Sequence, residues 1–418
     1  MKQLIVLLAM IVAISLIVGC STAIPFPNAA APTPEPGPPG PQGPPGPQGE
    51  QGATGPQGPQ GAQGVAGISY EPATYVGSET CEECHEDLYA SYQNTGHAWL
   101  LNQVVDGEPP AYPFSEVPDP PEGYTWDDIS YVVGGYAWKA RFLDQQGYLI
   151  TGEGEATTQF NLANRSLRTD EEWVAYHAGE EVAYDCAGCH TTGYVPEGNQ
   201  DGLPGLVGTW AEAGVGCEAC HGAGGNHVND PYLVKMAVNR DPEQCSSCHG
   251  GDELMEIEAV DGLISHHDSY PTLFMGKKAT MQCVDCHNPH APVKYDRSPG
   301  IRVECESCHF EQDLYKKITD RRHAQCVDCH MPAVVQNAVA DPESMTGDVR
   351  THLMVINSQA LTQTNDGVFD TPYLALDFAC KSCHYEGGRG DLLTDEELVA
   401  AASGYHDREL SGALNRER

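Results

Sequence analysis

Hydrophobic residues are distributed very unevenly along this chain of 418 residues. An apolar run from Leu4 to Val18 follows Lys2, and it is too short for a comfortable transmembrane span. A basic residue followed by such a run is typical of an export signal, which we predict over residues 1–19. Residues 20–36 are rich in Pro and Ala and predict a linker. The rest of the chain is therefore expected outside the cytoplasm.

Apolar segments and turn residues predict a β-hairpin well downstream of the linker. The apolar segments 131–133 and 142–143 precede a turn-forming sequence at Asp144–Gly147, and Tyr148–Ile150 is apolar again. We assign this hairpin to a β-containing insertion over residues 98–180, whose simplest role is to cover the remainder of the fold.

Helical signals are short. We predict helices over Glu86–Asn94 and Asp313–Arg321. Thr394 and Glu397 form a capping-box pattern that opens a third helix toward His406.

Glycine recurs at every third position from Gly37 to Gly67 without a miss. Only glycine fits the crowded axis of a collagen triple helix, so this collagen-like Gly-X-Y segment, residues 37–67, is expected to form a stalk and a homotrimer. A monomeric polyproline-II spacer of the same composition is the alternative. Both would hold the globular part of the chain away from the membrane.

The charge of the chain is strongly acidic: 59 Asp and Glu oppose 22 Lys and Arg, for a formal net charge of −37. Nucleic acid is excluded as a partner because its binding needs cations that displace counterions from phosphate. Basic redox partner proteins, mineral cations and Ca²⁺ are candidate counter-charges, and a solvated acidic surface is the alternative.

Sixteen of the 17 cysteines fall into eight Cys-x-x-Cys-His motifs, the spacing of c-type haem attachment sites. The cysteines are Cys81 and Cys84, Cys186 and Cys189, Cys217 and Cys220, Cys245 and Cys248, Cys283 and Cys286, Cys305 and Cys308, Cys326 and Cys329, and Cys380 and Cys383. The adjacent histidines are His85, His190, His221, His249, His287, His309, His330 and His384. Zinc sites that pair Cys-x-x-Cys units do not require a histidine after each unit. Here a histidine follows all eight units, which favours eight covalently bound haem c groups with these histidines as the proximal iron ligands.

About 44 residues per haem follow Gly67, which is too few to build a conventional core around each cofactor. We therefore predict that residues 68–418 form an octahaem cytochrome domain. Its expected fold is mostly irregular and α-helical, with short helices around a stacked haem array and one small β-hairpin insertion.

Nine further histidines can supply the sixth iron ligands, which is one more than eight haems require. They are His97, His177, His227, His266, His267, His290, His323, His352 and His406. His290 follows His287 too closely to reach the far face of the same haem, so we expect it to bind the iron of a neighbouring haem. His227 is expected to do the same, and one of the adjacent His266 and His267 to be the spare.

Other axial ligands are less well supported by the sequence. Met281 and Met331 flank motifs, and packing is the simpler interpretation of both. No motif has lysine in place of its histidine, so the motifs do not indicate a lysine-ligated catalytic haem.

The remaining cysteine, Cys20, follows small residues that resemble the lipobox of bacterial lipoproteins. This resemblance implies cleavage before Cys20 and acylation of its thiol, which would anchor the protein to a membrane by lipid. An ordinary signal peptide or an uncleaved anchor is the alternative.

The segments around two motifs resemble the cytochrome c554/c-prime family. These are Tyr75–His85 with Thr95–Ala98, and Gly214–His227. The resemblance implies that four histidines are distal ligands, namely His97, His227, His323 and His352. The wider group includes hydroxylamine oxidoreductase, octahaem tetrathionate reductase and surface electron-conduit cytochromes that can polymerise into filaments.

Electron transfer at the cell surface or outer membrane is the function these features favour, with redox proteins or extracellular acceptors as partners. Closely packed bis-histidine haems would carry the electrons, and a polymerised haem filament is a special case. The alternative is an oxidoreductase that acts on small nitrogen or sulfur compounds at one five-coordinate haem. A collagen-like adhesive protein is disfavoured by eight costly cofactors.

Overall fold

The computed structural model of the chain describes residues 72–250, 257–260, 262–265, 269–313, 324–362, 368–369, 373–403 and 405–406. All of them belong to one compact unit, Ile68–Arg418. The predicted signal peptide, linker, Cys20 and collagen-like segment lie outside the described residues, as do His266, His267 and His323. No helix in the described ranges is long and apolar enough to cross a membrane.

The larger sheet contains seven strands and is built from the residues between the first and second motifs. Its strands are β1 Leu101–Gln103, β2 Ile129–Gly134, β3 Lys139–Asp144, β4 Tyr148–Leu149, β5 Gln159–Asn161, β6 Glu172–Val174 and β7 Val182–Ala183. The order is β1-β2-β3-β4-β7, with β5 paired to β3 and β6 paired to β5, and all pairs are antiparallel. The predicted hairpin is confirmed as β3-β4, and β2 adds a third strand through a turn at Gly134 and Gly135.

The two faces of β3 have different surroundings. Ala140 and Phe142 are buried in a core cluster with Val132 of β2. Lys139 and Arg141 alternate with them and therefore point to the opposite face, where they line a large cavity. This alternation places two cations beside the functional site described below.

A second sheet was not predicted from the sequence. Its strands are β10 Ile257–Val260, β11 Leu263–Ser265, β12 Ala333–Gln336, β13 Val349–Arg350 and β14 Val368–Phe369, in the order β13-β12-β11-β10-β14. The short pair β8 Thr191–Thr192 and β9 Glu212–Ala213 forms a third. The β structure is thus more extensive than the single hairpin expected, because strands of two to four residues have too few positions to show an alternating pattern.

Every motif contributes residues to a helical turn. The α-helices are Ser78–Tyr92, Ala187–His190, Cys217–His221, Gly225–Asn229, Glu243–His249, Ser269–Phe274, Cys283–Cys286, Arg297–Gly300, Cys326–His330 and Asp395–Ala402. Shorter 3-10 turns are Gly96–Trp99, Trp126–Asp128, Gln200–Gly202 and Cys305–Ser307, and Asp377–Lys381 is a π-helix.

Two of the three predicted helices lie in the described residues. The helix expected at Glu86–Asn94 begins earlier, at Ser78, and includes the first motif, with a kink at His85. The capping box of Thr394 and Glu397 is confirmed, and the helix it opens runs to Ala402. The third helix, Asp313–Arg321, lies almost wholly outside the described residues.

Candidate haem-binding site

A continuous cavity of about 3710 Å³ runs through the described part of the chain. Its lining includes all sixteen motif cysteines and all eight motif histidines, together with His97, His227, His290, His352 and His406. A pocket for one drug-sized ligand has about 300–1,000 Å³, so this cavity can hold several large cofactors. The cysteines lining it are all free thiols, as thioether attachment of haem requires.

Five pairs of histidine rings face each other across the cavity among the described residues. The ring centroids are 6.5 Å apart for His85 and His227, 6.2 Å for His97 and His249, 6.1 Å for His221 and His290, 6.0 Å for His287 and His352, and 6.1 Å for His330 and His406. Each pair combines one motif histidine with one histidine from outside the motifs. His290 lies opposite His221 rather than His287, and His227 lies opposite His85.

These separations match two imidazoles bound to one metal ion. A metal–nitrogen bond of about 2 Å on each side, plus roughly 1 Å from each nitrogen to its ring centre, gives about 6 Å between centroids. The five pairs therefore fit bis-histidine ligation of iron, and the motif histidine of each pair would be the proximal ligand.

Backbone carbonyl groups orient three of these rings and also the ring of the motif histidine His384. Nδ1 of His221 donates to Ala237 O at 2.6 Å, and Nδ1 of His227 donates to Val234 O at 2.8 Å. The same contact joins His330 to Met354 at 2.7 Å and His384 to Asp391 at 2.8 Å. Because a carbonyl oxygen can only accept, Nδ1 carries the proton and Nε2 presents its lone pair to the cavity.

Burial favours the uncharged form of two of the candidate ligand histidines. Desolvation lowers the pKa of His97, and it lowers that of His352 to about 4, with nearby His287 and His249 as further causes. A neutral imidazole is the form that binds a metal ion. The protein therefore holds these side chains ready for ligation near neutral pH.

Thiols of different motifs lie close enough to interact electrostatically, and three of the pairs, Cys81 with Cys217, Cys189 with Cys248 and Cys245 with Cys283, are also hydrogen-bonded. The interacting pairs are Cys81 with Cys217, Cys189 with Cys248, Cys220 with Cys245, Cys245 with Cys283, Cys286 with Cys305, and Cys329 with Cys380, while the Cys326 thiol is 3.7 Å from the Glu306 carboxylate. We number the motifs one to eight along the chain. The interacting pairs then connect them in space in the order one, three, four, five, six, seven and eight, and motif two lies beside motif four. Cofactors attached here would form one connected array.

Cations gather beside the second motif, Cys186–His190. Lys139 and Arg141 both act electrostatically on the Cys186 thiol. The Arg141 guanidinium lies 3.6 Å from the ring centre of Tyr176, and desolvation, followed by the charge of Arg141, lowers the pKa of Lys139 to about 8. These side chains could hold haem propionates or another anion. The sequence gives no sign of this role, because neither Lys139 nor Arg141 belongs to a motif.

Three further candidate residues, His177, Met281 and Met331, are not part of the five histidine pairs. His177 does not line the cavity in the described structure: its ring is half-exposed, and Nδ1 lies 2.8 Å from the Glu180 carboxylate. Met281 and Met331 both line the cavity. No group of three or more His, Cys, Asp or Glu side chains within the described ranges is arranged to hold a metal ion, so the Ca²⁺ expectation has no site there.

Comparisons with known proteins agree with this site. The family model "Cytochrome c554 and c-prime" matches residues 155–222, and that of "Cytochrome c3" matches residues 209–297. The multiheme cytochrome MtrA of Shewanella baltica is 31% identical over 134 residues, which are 29% of this chain and 36% of MtrA. The dissimilatory sulfite reductase MccA of Wolinella succinogenes is 23% identical over 368 residues, 62% of this chain and 51% of MccA. The matches thus span about a third and a half of these relatives.

Solved structures share the fold at low sequence identity. The outer cell wall cytochrome OcwA superposes with a TM-score of 0.51 and 19% identity, covering 82% of this chain and 89% of OcwA. The octaheme sulfite reductase MccA superposes with a TM-score of 0.52 and 18% identity, covering 84% of this chain and 72% of that structure. This chain therefore shares its fold with both structures.

Proposed function

We propose that this chain, a multihaem c-type cytochrome with covalently bound haem c, moves electrons through eight haems to or from acceptors outside the cell. The observation that carries this proposal is the contact between successive motifs along one cavity. Haems attached at such positions would lie close to one another, and no motif is separated from the series. Electrons can then enter at one end and leave at the other.

Display at the cell surface belongs to the same proposal. Acylated Cys20 would anchor the chain, and the collagen-like segment would hold the haem domain away from the membrane as a homotrimer. The outer cell wall location in the name of OcwA supports this placement. A homopolymeric haem filament is the competing assembly.

Reoxidation of the reduced protein tests the conduit. After full reduction, a soluble ferric chelate should remove eight electrons per chain, and every haem absorbance should return to the ferric form within one continuous time course. The pyridine haemochrome assay gives the number of haems per chain, with which the number of electrons removed is compared. A fraction of haem that stays reduced after the rest has reoxidised would contradict a connected array.

A second candidate function is reduction or oxidation of a small nitrogen or sulfur oxyanion at the haem of Cys186–His190. The observation that favours it is the pair of cations Lys139 and Arg141, in a chain with only 22 Lys and Arg in total. The name of MccA, a sulfite reductase, supports it as well. Turnover of sulfite or nitrite by the wild-type protein, lost in Lys139→Met, would establish it, and CO binding to the reduced protein would show whether an iron is open.

A further inference from the structure

The proximal histidine of the sixth motif faces a lysine. Nε2 of His309 lies 3.1 Å from Nζ of Lys278, which belongs to the segment between the helices Ser269–Phe274 and Cys283–Cys286. Nε2 is the nitrogen through which a motif histidine binds iron. The lysine amine is therefore on the side of His309 where the haem and its sixth ligand must lie.

At five other motifs the side chain that faces the motif histidine is another histidine, whereas at His309 it is Lys278. No histidine ring lies opposite His309 among the residues that the structure describes, whereas the five pairs listed above face each other at 6.0–6.5 Å. Both Lys278 and His309 line the common cavity. Lys278 also acts electrostatically on Cys286 of the fifth motif, so its amine lies between two attachment sites.

We propose that Lys278 is the sixth ligand of the haem attached at Cys305 and Cys308. Two iron–nitrogen bonds of about 2 Å require about 4 Å between the ligand nitrogens, so the amine withdraws by about 1 Å when the haem is in place. Four rotatable bonds in the lysine side chain allow that shift. The motif sequences do not reveal such a ligand, because the lysine stands apart from the motif it serves.

An amine ligand makes this haem chemically different from its bis-histidine neighbours. Axial ligand identity is one of the main determinants of haem potential. A saturated amine donates electron density without the π system of an imidazole, which favours the ferric state. The sixth haem would then be a step of distinct potential within the array. This inference rests on the proposed haem array, and a haem count keeps the two separable.

Spectroscopy of the full-length holoprotein tests the assignment, with Lys278→Leu as the variant and Lys277→Leu as its matched control. Lys277 is adjacent, exposed, and also lines the cavity. In Lys278→Leu we expect one additional high-spin ferric haem by EPR and one additional CO bound per reduced chain. Imidazole should return that haem to the low-spin form. Lys277→Leu should match the wild type.

Two further variants complete the test. Lys278→His should remain low-spin while one EPR signal changes to the bis-histidine type. No new high-spin haem in Lys278→Leu would overturn the proposal, and a high-spin haem in His323→Ala instead would assign the position to that histidine. A wild-type count below eight haems by pyridine haemochrome would refute the octahaem array rather than the ligand assignment.

Discussion

The carboxylate of Glu218 accepts a hydrogen bond of 2.8 Å from the backbone N–H of Gly77, which lies 141 residues earlier in the chain. Glu218 also accepts from the N–H groups of Val76 and Gly224 and is only 2% exposed. It occupies the first variable position of the third motif. One carboxylate thus joins the start of the described chain to a haem attachment loop.

Loss of this carboxylate should destabilise the fold. Glu218→Ala leaves one buried and two half-buried N–H groups without an acceptor, and we expect a loss of about 3 kcal/mol in the free energy of unfolding. Thermal denaturation followed by circular dichroism measures it. Glu82→Ala is the matched control, since Glu82 occupies the same position of the first motif but is exposed. Equal destabilisation by both variants would contradict the role of Glu218.

Histidines that face a motif histidine should behave differently from one that does not. His352 lies 6.0 Å from His287 between ring centroids, so His352→Ala should leave one haem high-spin and able to bind CO after reduction. His177 contacts Glu180 instead, and His177→Ala should keep the wild-type EPR spectrum. A new high-spin signal in His177→Ala would make it a ligand after all.

The charge of Lys139 should influence the potential of the haem at Cys186–His190. Desolvation, and then Arg141, lower the pKa of Lys139 to about 8. Below that pH the positive charge stabilises the reduced haem, and above it the charge is lost, so the potential should fall as pH rises through about 8. At pH 6 the haem potential of Lys139→Met should be lower than that of the wild type by tens of mV, the order of magnitude expected when one nearby positive charge is lost. The fall in potential near pH 8 should be absent from the variant. Spectroelectrochemical titration at pH 6 and 9 measures both effects, and an unchanged fall in the variant would exclude Lys139 as its origin.

The capping box at Thr394 should help to position the last histidine. Thr394 Oγ1 accepts from the N–H of Glu397 at the start of the helix Asp395–Ala402, and four residues after this helix His406 faces His330 at 6.1 Å. Thr394→Ala should cost about 1 kcal/mol of stability, visible as a lower midpoint of chemical denaturation. Ser403→Ala, at the exposed far end of the same helix, should leave the midpoint unchanged. A similar loss in both variants would argue against a specific cap.

The collagen-like segment should determine the assembly state. Deletion of residues 37–66 from the otherwise complete chain should convert a trimer into a monomer, because only the triple helix requires glycine at every third position. Light scattering coupled to gel filtration measures the mass. A wild-type protein that is already monomeric would favour the polyproline-II spacer, and filaments in both proteins would place assembly in the haem domain.

The spacing of residues in the sequence was enough to predict those features that involve only residues close together in the chain. Two thiols and a histidine in five residues define a haem attachment site, and Thr394 with Glu397 defines a helix start, so both are visible in sequence. The partner of each motif histidine is different. His97 and His249 meet across 152 residues, and only tertiary packing brings them together.

Other features that depend on residues far apart in the sequence could not be predicted for related reasons. β11 and β12 pair in parallel although three motifs, beginning at Cys283, Cys305 and Cys326, lie between them in the sequence, and each strand is too short to show its own periodicity. Lys278 carries no local sign that it faces His309. Only the alternation of β3 could have indicated that Lys139 and Arg141 share one face.

The crossed pairing of histidines gives the chain a topology in which bound iron would act as a set of removable cross-links. An iron between His85 and His227 would close a loop of chain that overlaps the loop between His97 and His249, which in turn overlaps the loop between His221 and His290. Closing long loops removes conformational entropy from the unfolded chain. Since the loops overlap along the sequence, the span from His85 to His290 would be constrained as one unit, and we expect limited proteolysis within it to be slower in the haem-loaded chain than in the haem-free chain.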